Sequence, residues 1–487
     1  MQALSKLTDN TYDVAVIGGG IIGAGVARDA ALRGLSVALV EKSDFGSGTT
    51  SGSTRLIHGG LRYLEMFDFG LVRMDLRERE TLLRIAPHLV KPLEFLIPFY
   101  GASLWFRAKM RVGMMLYDLL SYDKSLPHHR MLSAAETLAE EPSLRAEGLQ
   151  GAAAYYDAQV AMPERLCLEN ILDAERYGAV LRSYTEVVGA MRESGRLQAL
   201  RVRCTETGAE GELRAKVFVN ATGAWFDRVA RQTGDAHPPR IRTTKGIHIT
   251  CERMNHKANV LFSPVDGRLF FVIPLLGQCW IGTTDTDFSE DPTVVRADGE
   301  DVEYLLRSVE PFFPQVRKLA IYSSNAGVRA LVKQEGSASS VSRMHSITET
   351  QPGMISVLGG KITGYRAIAE EAVDAVSRQL GSGAPCRTHQ ELLPGALAPE
   401  PTGGAEALQR AVAREHCWHV ADYLLRRRPT AFAADQGRGE AETAARLMGE
   451  ALGWGPEQIQ RELERYRAEA DRALQYREEI PGMRFSG

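Results

Sequence analysis

Short apolar runs that lead into glycine-rich turns recur along the chain. Residues 13–17 (DVAVI) and 36–40 (SVALV) are largely apolar, as in strands that are buried on both faces of a parallel sheet. Residues 24–33 between them have a helical pattern, and the runs at 216–220 and 355–358 again lead into turns of small residues. This alternation predicts an α/β fold in which distant segments of the chain contribute strands to one sheet.

Two other patterns organise the rest of the chain. Between residues 104 and 120, apolar residues recur at helical spacing while Arg107 and Arg111 lie on the other side, which predicts an amphipathic helix. Residues 381–404 are rich in Gly, Pro and Ala, the composition of a linker. Beyond them, residues 405–477 carry Ala, Leu, Glu and Arg at helical spacing, so we expect a C-terminal helical domain.

Composition and charge indicate the class of protein and its compartment. A length of 487 residues favours two or three domains, and a net charge of −3 gives no reason to expect nucleic acid as a partner. The six cysteines form no C-x-x-C motif, so we expect reduced thiols in the cytosol and no metal site. The apolar stretch 14–27 is shorter than the roughly 18 residues of a membrane span. We therefore predict neither export nor a transmembrane helix.

A dinucleotide-binding fingerprint connects the first two predicted strands. Gly18, Gly20 and Gly23 form G-x-G-x-x-G between a strand and a helix, and Glu41 ends the following strand. In this motif the first glycine permits a tight turn, the second lets the backbone approach a pyrophosphate, and the third allows close packing of helix on strand. The helix N-terminus offers N–H groups to the anion, and Glu41 can accept hydrogen bonds from ribose hydroxyls. NAD and FAD share this fingerprint, so the motif alone leaves both open.

Three further segments favour a flavin. The hydroxyl- and glycine-rich loop 47–60 follows the acidic strand end, where a flavin enzyme needs small donors along its pyrophosphate and ring. The strand 216–220 runs into Ala-Thr-Gly, which resembles the second flavin-contacting strand of the two-dinucleotide-binding-fold flavoproteins, and residues 359–364 form a glycine turn before a helix. The candidate cofactor contacts in these segments are Thr50, Ser51, Ser53, Gly60, Leu61, Ala221, Thr222, Gly223, Gly360, Lys361, Ile362 and Thr363.

Motifs along nearly the whole chain together resemble one family. They are SGSTRLIHGGLRYLE (51–65), RERETLLRIAPHLV (77–90), NATGAW (220–225), KGIHI (245–249), IGTTDTDF (281–288), AGVRAL (326–331), SRMH (342–345), GGKITGYR (359–366) and LLPG (392–395). In combination they are similar to the aerobic, quinone-linked, FAD-dependent glycerol-3-phosphate dehydrogenases. The resemblance implies FAD as cofactor and a Rossmann-like, two-dinucleotide-binding FAD domain of α/β class. It further implies an interleaved substrate domain (α+β) built on an antiparallel sheet, and a C-terminal helical domain.

The resemblance also implies approximate domain boundaries. We expect an oxidoreductase region over residues 1–385, a linker over 386–404 and the helical domain over 405–487. Within the first region, we expect FAD-binding segments near 10–75, 150–235 and 340–385 and substrate-binding segments near 76–149 and 236–339.

The activity implied by the resemblance is the oxidation of sn-glycerol 3-phosphate to dihydroxyacetone phosphate. A hydride would pass from C2 to flavin N5, and the electrons would go on to a membrane quinone. One alternative is a related flavoprotein oxidase that uses oxygen or acts on an amino-acid-like substrate. An alternative of a different class is a flavin-binding scaffold in which the flavin is structural.

The resemblance also implies the roles of several site residues. Arginine forks match phosphate oxygens, and the residues expected around the substrate are Arg62, Tyr63, Arg329, Arg343 and Lys361. The resemblance favours His248 as the base that accepts the hydroxyl proton, with His58 as the second candidate. Arg329 would also stabilise the developing alkoxide or ketone oxygen. We expect Asp285 and Asp287 to lie in a structural turn rather than to act as an acid/base pair.

The basic amphipathic helix near 104–120 is the expected membrane contact. Because the related dehydrogenases commonly pass electrons to a membrane quinone, we expect this helix to lie on an anionic membrane surface. The protein would then be cytoplasmic and bound peripherally to the inner face of the cell membrane. The oligomeric state stays open, with a homodimer as one alternative.

Overall fold

The computed structural model describes residues 4–60, 64, 67–333, 345–381, 383–398 and 403–480. Its strands are β1 (Thr11–Ile17), β2 (Val37–Val40), β3 (Leu56–Ile57), β4 (Val90–Tyr100), β5 (Arg130–Leu132), β6 (Leu149–Val160), β7 (Val180–Arg182), β8 (Thr185–Glu193), β9 (Arg196–Cys204), β10 (Glu210–Asn220), β11 (Ile241–Cys251), β12 (Ala258–Phe262), β13 (Leu269–Leu275), β14 (Gln278–Gly282), β15 (Thr286–Asp287), β16 (Ile321–Val332), β17 (Ser346–Gln351) and β18 (Met354–Leu358).

The helices of the described residues follow the same chain order. They are α1 (Ser5–Thr8), α2 (Ile21–Leu32), α3 (Phe69–Ile85), α4 (Leu104–Leu120), α5 (Ala134–Glu140), α6 (Pro163–Arg176), α7 (Phe226–Gln232), α8 (Gly299–Val309), α9 (Tyr365–Leu380), α10 (Pro394–Leu397), α11 (Gly404–Arg414), α12 (Val420–Asp422), α13 (Ala441–Leu452) and α14 (Pro456–Arg472).

The first sheet has a parallel centre. Its central order is β7, β2, β1, β10 and β18, with each neighbouring pair parallel, and antiparallel strands β17, β9 and β8 extend it. Along β1, Val14 and Val16 cluster with residues of α2, α6 and α9, whereas Ala15 and Ile17 cluster with β8 and β9. Both faces of β1 are therefore covered, which explains its unbroken apolar run. The predicted α/β fold with a Rossmann-like first unit is confirmed.

The second sheet is antiparallel except where β4 pairs with β12. Its order is β15, β11, β14, β13, β12, β4, β6 and β3, with β16 beside β11 and β5 beside β6. The strand β6 differs from the expected boundaries, because residues 150–160 were placed with the FAD-binding segments. It instead pairs with β4 along its whole length, and Ala153 and Tyr155 share a core with Phe95 and Ile97. That shared core explains why β6 belongs to this sheet.

The C-terminal helices have a core of their own. Leu408 of α11, Met448 of α13 and Tyr466 of α14 are buried together in one apolar cluster. The described part of the expected linker, by contrast, is packed against the first unit. The side chain of Arg28 donates to the backbone carbonyl of Glu391 over 2.9 Å, and Leu393 is fully buried. This segment therefore connects two domains without being a free tether.

A buried ion pair joins the C-terminal helices to the first unit. Asp44 follows the end of β2 and is almost fully buried, and Arg427 donates to both of its carboxylate oxygens over 2.7 Å. Arg426 donates to the same carboxylate over 2.5 Å. Two-pronged arginine contacts of this kind are geometrically specific as well as strong. Two of the three arginines of the RRRP run (426–429) thus contact the body of the protein.

Replacing Arg28 by Met should destabilise the protein strongly. Arg28 lies 2.7 Å from the buried carboxylate of Asp173, and its removal leaves that charge, among the described residues, with the exposed Arg176 as its ion-pair partner. Loss of one member of a buried pair costs about 3–5 kcal/mol. Arg176→Met is the matched control, since Arg176 contacts the same carboxylate from the surface, over 3.3 Å. The urea midpoint of unfolding, monitored by tryptophan fluorescence, should decrease far more in Arg28→Met than in Arg176→Met. Equal decreases would contradict a stabilising role of the buried Arg28–Asp173 pair.

Candidate active site

A cavity of about 890 Å³ lies between the carboxyl ends of the parallel strands and one face of the second sheet. Its size is that of a small-molecule or cofactor site, and the edge of the parallel sheet is the usual place for one. The predicted site residues that line it are Gly18, Gly20, Glu41, Thr50, Ser53, His58, Gly60, Ala221, Thr222, Gly223, Arg329, Gly360, Lys361, Ile362 and Thr363. Leu61, Arg62, Tyr63 and Arg343 lie outside the described residues, and Gly23, Ser51 and His248 stand behind the wall.

The glycine fingerprint brings three strand ends together. A Cβ built on Gly23 would overlap the carbonyl oxygen of Gly18, and one on Gly18 would lie 2.8 Å from the carbonyl oxygen of Ala221. The Glu41 carboxylate lines the cavity and accepts from the N–H of Gly19 over 2.7 Å and from that of Ser43 over 2.9 Å. Burial raises the pKa of Glu41, while these N–H groups act in the opposite direction.

The loop after β2 folds over the start of α2. The hydroxyl of Thr50 accepts from the N–H of Ile21 over 3.1 Å, so Thr50 both lines the cavity and caps a backbone group. Ser51 lies differently, because its hydroxyl donates to the carbonyl oxygens of Ser47 and Gly48 over 3.0 Å. The structure therefore uses Ser51 to close the turn and presents Thr50 to the cavity.

The residues at this end of the cavity fit FAD. The helix α2 begins at Ile21, and its N-cap residue Gly20 has no side chain to cap it, so N–H groups of the first turn other than that of Ile21 are available to a pyrophosphate. Among the described residues, a Cβ built on Gly20 would contact Thr50 alone. The rest of the space beside Gly20 belongs to the cavity. Lys42, next to Glu41, lies 3.9 Å above the ring of Trp225, and both line the cavity.

A buried network holds the His58–Gly60 turn. The N–H of Gly59 donates to the hydroxyl of Tyr117 over 3.1 Å, and that hydroxyl donates to Asp157 over 2.8 Å. Arg79 donates to the other oxygen of Asp157 over 2.6 Å. The N–H of His58 also donates to the hydroxyl of Thr363, over 3.1 Å. Sequence patterns did not predict Tyr117 or Asp157, because they reach the turn from other segments of the chain.

Strand register places His248 and Arg329 on one face of the second sheet. His248 of β11 stands opposite Asn325 of β16, and Thr244 stands opposite Arg329, so alternate positions put both side chains on the same side. The His248 ring is buried and stacks on Trp280 with ring centroids 4.9 Å apart. Burial, followed by the charges of Arg329 and Arg55, holds the pKa of His248 well below its usual value. The imidazole is therefore neutral near pH 7.

Arg329 is held by the turn that follows β14. Its guanidinium lies 3.0 Å from the Asp285 carboxylate and donates to the hydroxyl of Thr283 over 2.6 Å. Asp287 makes a different contact, because it pairs with Arg242 over 2.6 Å. The two carboxylates thus pair with two different arginines, and Asp285 orients the one that lines the cavity, Arg329.

Lys361 is held from the helix α3. Its ammonium lies 2.8 Å from Asp75, whose carboxylate is buried. Burial raises the pKa of Asp75 to about 6, although the Lys361 charge acts in the opposite direction. One turn further along α3, Glu78 receives two hydrogen bonds from Arg366, over 2.8 and 2.6 Å. The sequence shows two acidic residues three positions apart on a predicted helix. It does not show what they bind, because their basic partners lie almost 290 positions away along the chain.

Two glycines of the second sheet make room for the functional side chains. A Cβ built on Gly246 would overlap the guanidinium of Arg329, and one on Gly282 would overlap the ring of His248. Both glycines belong to motifs that the sequence singled out, KGIHI and IGTTDTDF. KGIHI thus contains His248 and also the glycine that leaves room for Arg329. IGTTDTDF contains the glycine that leaves room for His248 and also Thr283 and Asp285, which hold Arg329.

Gly246→Ala should displace the Arg329 guanidinium without unfolding the protein, because only the end of a flexible side chain must move. We expect the flavin content to stay unchanged and oxidation of glycerol 3-phosphate, the implied reaction, to fall on the order of 100-fold in kcat/KM. Gly70→Ala is the control, since the space beside that residue of α3 is open. Unchanged kcat/KM in Gly246→Ala would remove the Arg329 position from the chemistry.

Known proteins are similar to this chain. The FAD dependent oxidoreductase family matches residues 13–375. The chain is 41% identical over 419 residues to a glycerol-3-phosphate dehydrogenase of Synechocystis sp., covering 82% of this chain and 76% of that protein. It is 37% identical over 397 residues to the aerobic glycerol-3-phosphate dehydrogenase of Bacillus subtilis, covering 80% and 71%.

Solved structures agree with the sequence relatives. The glycerol-3-phosphate dehydrogenase from Bacillus halodurans complexed with FAD has a TM-score of 0.81 and 27% identity, covering 97% of each chain. An L-alpha-glycerophosphate oxidase from Mycoplasma pneumoniae, at 20% identity and a TM-score of 0.60 over 79% of this chain and 99% of that one, shares the fold. The chain therefore belongs to the FAD dependent oxidoreductase family and, within it, to the glycerol-3-phosphate dehydrogenases.

Proposed function

We propose that the protein is an FAD-dependent dehydrogenase that oxidises sn-glycerol 3-phosphate to dihydroxyacetone phosphate and delivers the electrons to a membrane quinone. The observation that carries the proposal is that one cavity joins the dinucleotide fingerprint to two held cations, Arg329 and Lys361, and to an imidazole, His58. The family, the cofactor and the names of the sequence relatives all agree with this chemistry.

FAD would be held by the N-terminus of α2 at Gly20, by Glu41, and by the turns at Ala221–Gly223 and Gly360–Thr363. When bound, it supplies the acceptor for the hydride that leaves C2 of the substrate. The chain itself must then bind the phosphate, orient the alcohol and take its proton.

Arg329 and Lys361 are the described candidates for binding the substrate phosphate. Each is oriented by a carboxylate, Asp285 for Arg329 and Asp75 for Lys361, so neither cation has to be ordered when the substrate arrives. A guanidinium can offer two parallel N–H groups to phosphate oxygens, whereas an ammonium acts as a point charge. The roles of Arg62, Tyr63 and Arg343 in the same subsite remain predictions.

The proton acceptor is His248 or His58. His248 is neutral and buried against Trp280, so it has a free pair of electrons for a proton, and it stands beside Arg329 on one sheet face. His58 lines the cavity directly and is held at its backbone by Thr363. We favour His248, because the nearby Arg329 can stabilise the alkoxide that forms as the proton leaves.

Anaerobic addition of glycerol 3-phosphate should bleach the visible absorbance of the bound flavin. Arg329→Ala should keep the flavin but lose turnover by about 100-fold or more, since a preorganised cation is removed. The flavin spectrum and the rate of flavin reduction give both measurements. A flavin that glycerol 3-phosphate does not reduce would support a structural flavin instead. Peroxide production that matches turnover, with oxygen as the sole acceptor, would make the protein an oxidase.

The helix α4 supports a peripheral membrane site. Leu104, Trp105 and Leu119 are 82%, 79% and 67% exposed, and Val112 and Met115 continue the same apolar face. The helix also carries Arg107, Lys109 and Arg111. An exposed apolar face beside basic residues is typical of helices that lie in an anionic membrane interface. No helix among the described residues is long and apolar enough to cross a bilayer. We propose that α4 lies on the inner face of the cell membrane, where a quinone is reached.

Val112→Ser combined with Leu119→Ser should weaken binding to vesicles that contain phosphatidylglycerol. Each change removes roughly 1.5 kcal/mol or more of apolar burial, about tenfold in affinity. Co-sedimentation of wild type should also decrease as salt is added, because basic residues act through a screened surface potential. Tyr177→Ser is the control, since Tyr177 is exposed but follows the C-terminus of α6 and lies outside this face. If the fraction of protein that co-sediments does not change with lipid charge, with salt or in the double variant, α4 is a structural helix and not the membrane contact.

The homodimer also remains a proposal. Gel filtration with light scattering tests it directly, because a homodimer has twice the mass of one chain. A mass of 53.6 kDa, that of one chain, would contradict the homodimer.

A further inference from the structure

The histidine favoured as base is separated from the cavity by a hydroxyl group. His248 is 1% exposed, and within the described chain the cavity wall includes Thr54 but not His248. The Nε2 atom of His248 lies 3.1 Å from the hydroxyl oxygen of Thr54. A substrate in the cavity therefore meets the Thr54 hydroxyl before it meets the imidazole.

One face and one edge of the His248 ring are covered by neighbouring groups. Trp280 stacks on one face at an interplanar angle of 17°, and the backbone at Gly282 packs against the ring carbon Cδ2. Among the described residues, Nδ1 has no hydrogen-bond partner. In the part of the chain that the structure describes, Thr54 is thus the polar group in hydrogen-bond contact with the ring, and it also lines the cavity. With the proton of the neutral ring on Nδ1, Nε2 is free to accept one.

The position of Thr54 is fixed by its neighbour. Arg55 adopts a left-handed backbone conformation with φ of 64°, and its buried guanidinium donates to both oxygens of Glu164, over 3.0 and 2.7 Å. It also donates to the carbonyl oxygen of Ser51 over 3.0 Å. This anchoring holds the loop so that the Thr54 hydroxyl stays between the ring and the cavity.

We propose that Thr54 relays the substrate proton to His248. This inference rests on the proposed oxidation of a secondary alcohol. As the C2–H bond breaks and its electron pair leaves as a hydride to FAD, the substrate O–H bond breaks and its electrons form the C=O bond. The substrate proton moves to Thr54 Oγ1, while the proton of Thr54 moves to Nε2 of His248. The hydroxyl is regenerated, and the imidazole ends the step as an imidazolium.

The electrostatics of the pocket return the relay to its starting state. Burial and the charges of Arg329 and Arg55 disfavour the imidazolium and lower the pKa of His248. The proton is therefore passed back through Thr54 to the cavity once the ketone has formed. The same relay then supplies a neutral imidazole for the next turnover.

Thr54→Val and Thr54→Ser test the relay in the FAD-bound protein. Anaerobic stopped-flow reduction by glycerol 3-phosphate gives the limiting rate of flavin reduction and the substrate dissociation constant separately. Removal of a group that transfers a proton in the transition state costs about 10²- to 10⁴-fold. We expect a loss in this range for Thr54→Val, with a dissociation constant within about threefold of wild type. Thr54→Ser keeps the hydroxyl, so its rate should stay within about threefold of wild type.

A double variant separates a relay from a merely structural contact. Because the two groups act on one proton, Thr54→Val added to His248→Asn should cost little beyond either single change. Independent, multiplying losses would overturn the relay, as would a Thr54→Val protein that is reduced at the wild-type rate. Equal losses in Thr54→Ser and Thr54→Val would also overturn it. If Thr54→Val lost its flavin, Thr54→Ala would take its place beside Thr54→Ser, and a rate of flavin reduction near that of wild type in Thr54→Ala would overturn the relay.

Failure of the proposed function gives a different result. In that case glycerol 3-phosphate does not reduce the flavin of wild type at all. The relay fails on its own when wild type is reduced normally and the Thr54 variants do not follow the expected order.

Discussion

Direct contact between backbones at glycine positions is the constraint on which the structure depends. The Gly18 turn can meet both Gly23 and Ala221 because neither Gly18 nor Gly23 carries a Cβ, and this joins β1, α2 and β10 at one point. Gly52 and Gly327 meet in the same way, with a Cβ on Gly52 only 2.5 Å from the Cα of Gly327. The first contact shapes the end of the cavity that fits FAD, and the second docks the loop after β2 onto the second sheet. Both walls are therefore placed by main chain, before any side chain acts.

Ion pairs form the second layer of the site. Arg329, Lys361 and Arg55 are each held by a carboxylate from another segment, and the Arg55 pair is almost completely buried. Taking charges out of water is costly, so such pairs are weak evidence for stability. Their effect here is positional, because each carboxylate fixes the orientation of its cation. Preorganised charge of this kind avoids reorganisation during the reaction.

The sequence predicted what local patterns determine. Apolar runs, the glycine fingerprint and the turn at Gly360 identified β1, β2, β10 and β18, the helices α2 and α9, and the glycine-rich part of the cavity wall. Contacts between distant segments could not be predicted, because neither Asp75 nor Asp157 has a pattern that names its partner. The sheet to which β6 belongs could not be predicted either, because its residues are apolar enough for both sheets. Even His248, chosen from its motif, lies behind Thr54 for reasons that only the packed structure supplies.

The pairing of Asp44 with Arg427 has a consequence for the order in which the protein matures. Asp44 is made early, next to the cofactor-binding strand, but its buried partner stands 383 residues later. On an emerging chain that carboxylate must stay hydrated until Arg427 has left the ribosome. The first unit can gather its strands before then, but its final closure has to wait for the last domain. A cofactor-binding fold whose fingerprint is complete by Glu41 thus reaches its finished form only after Arg427 has been made.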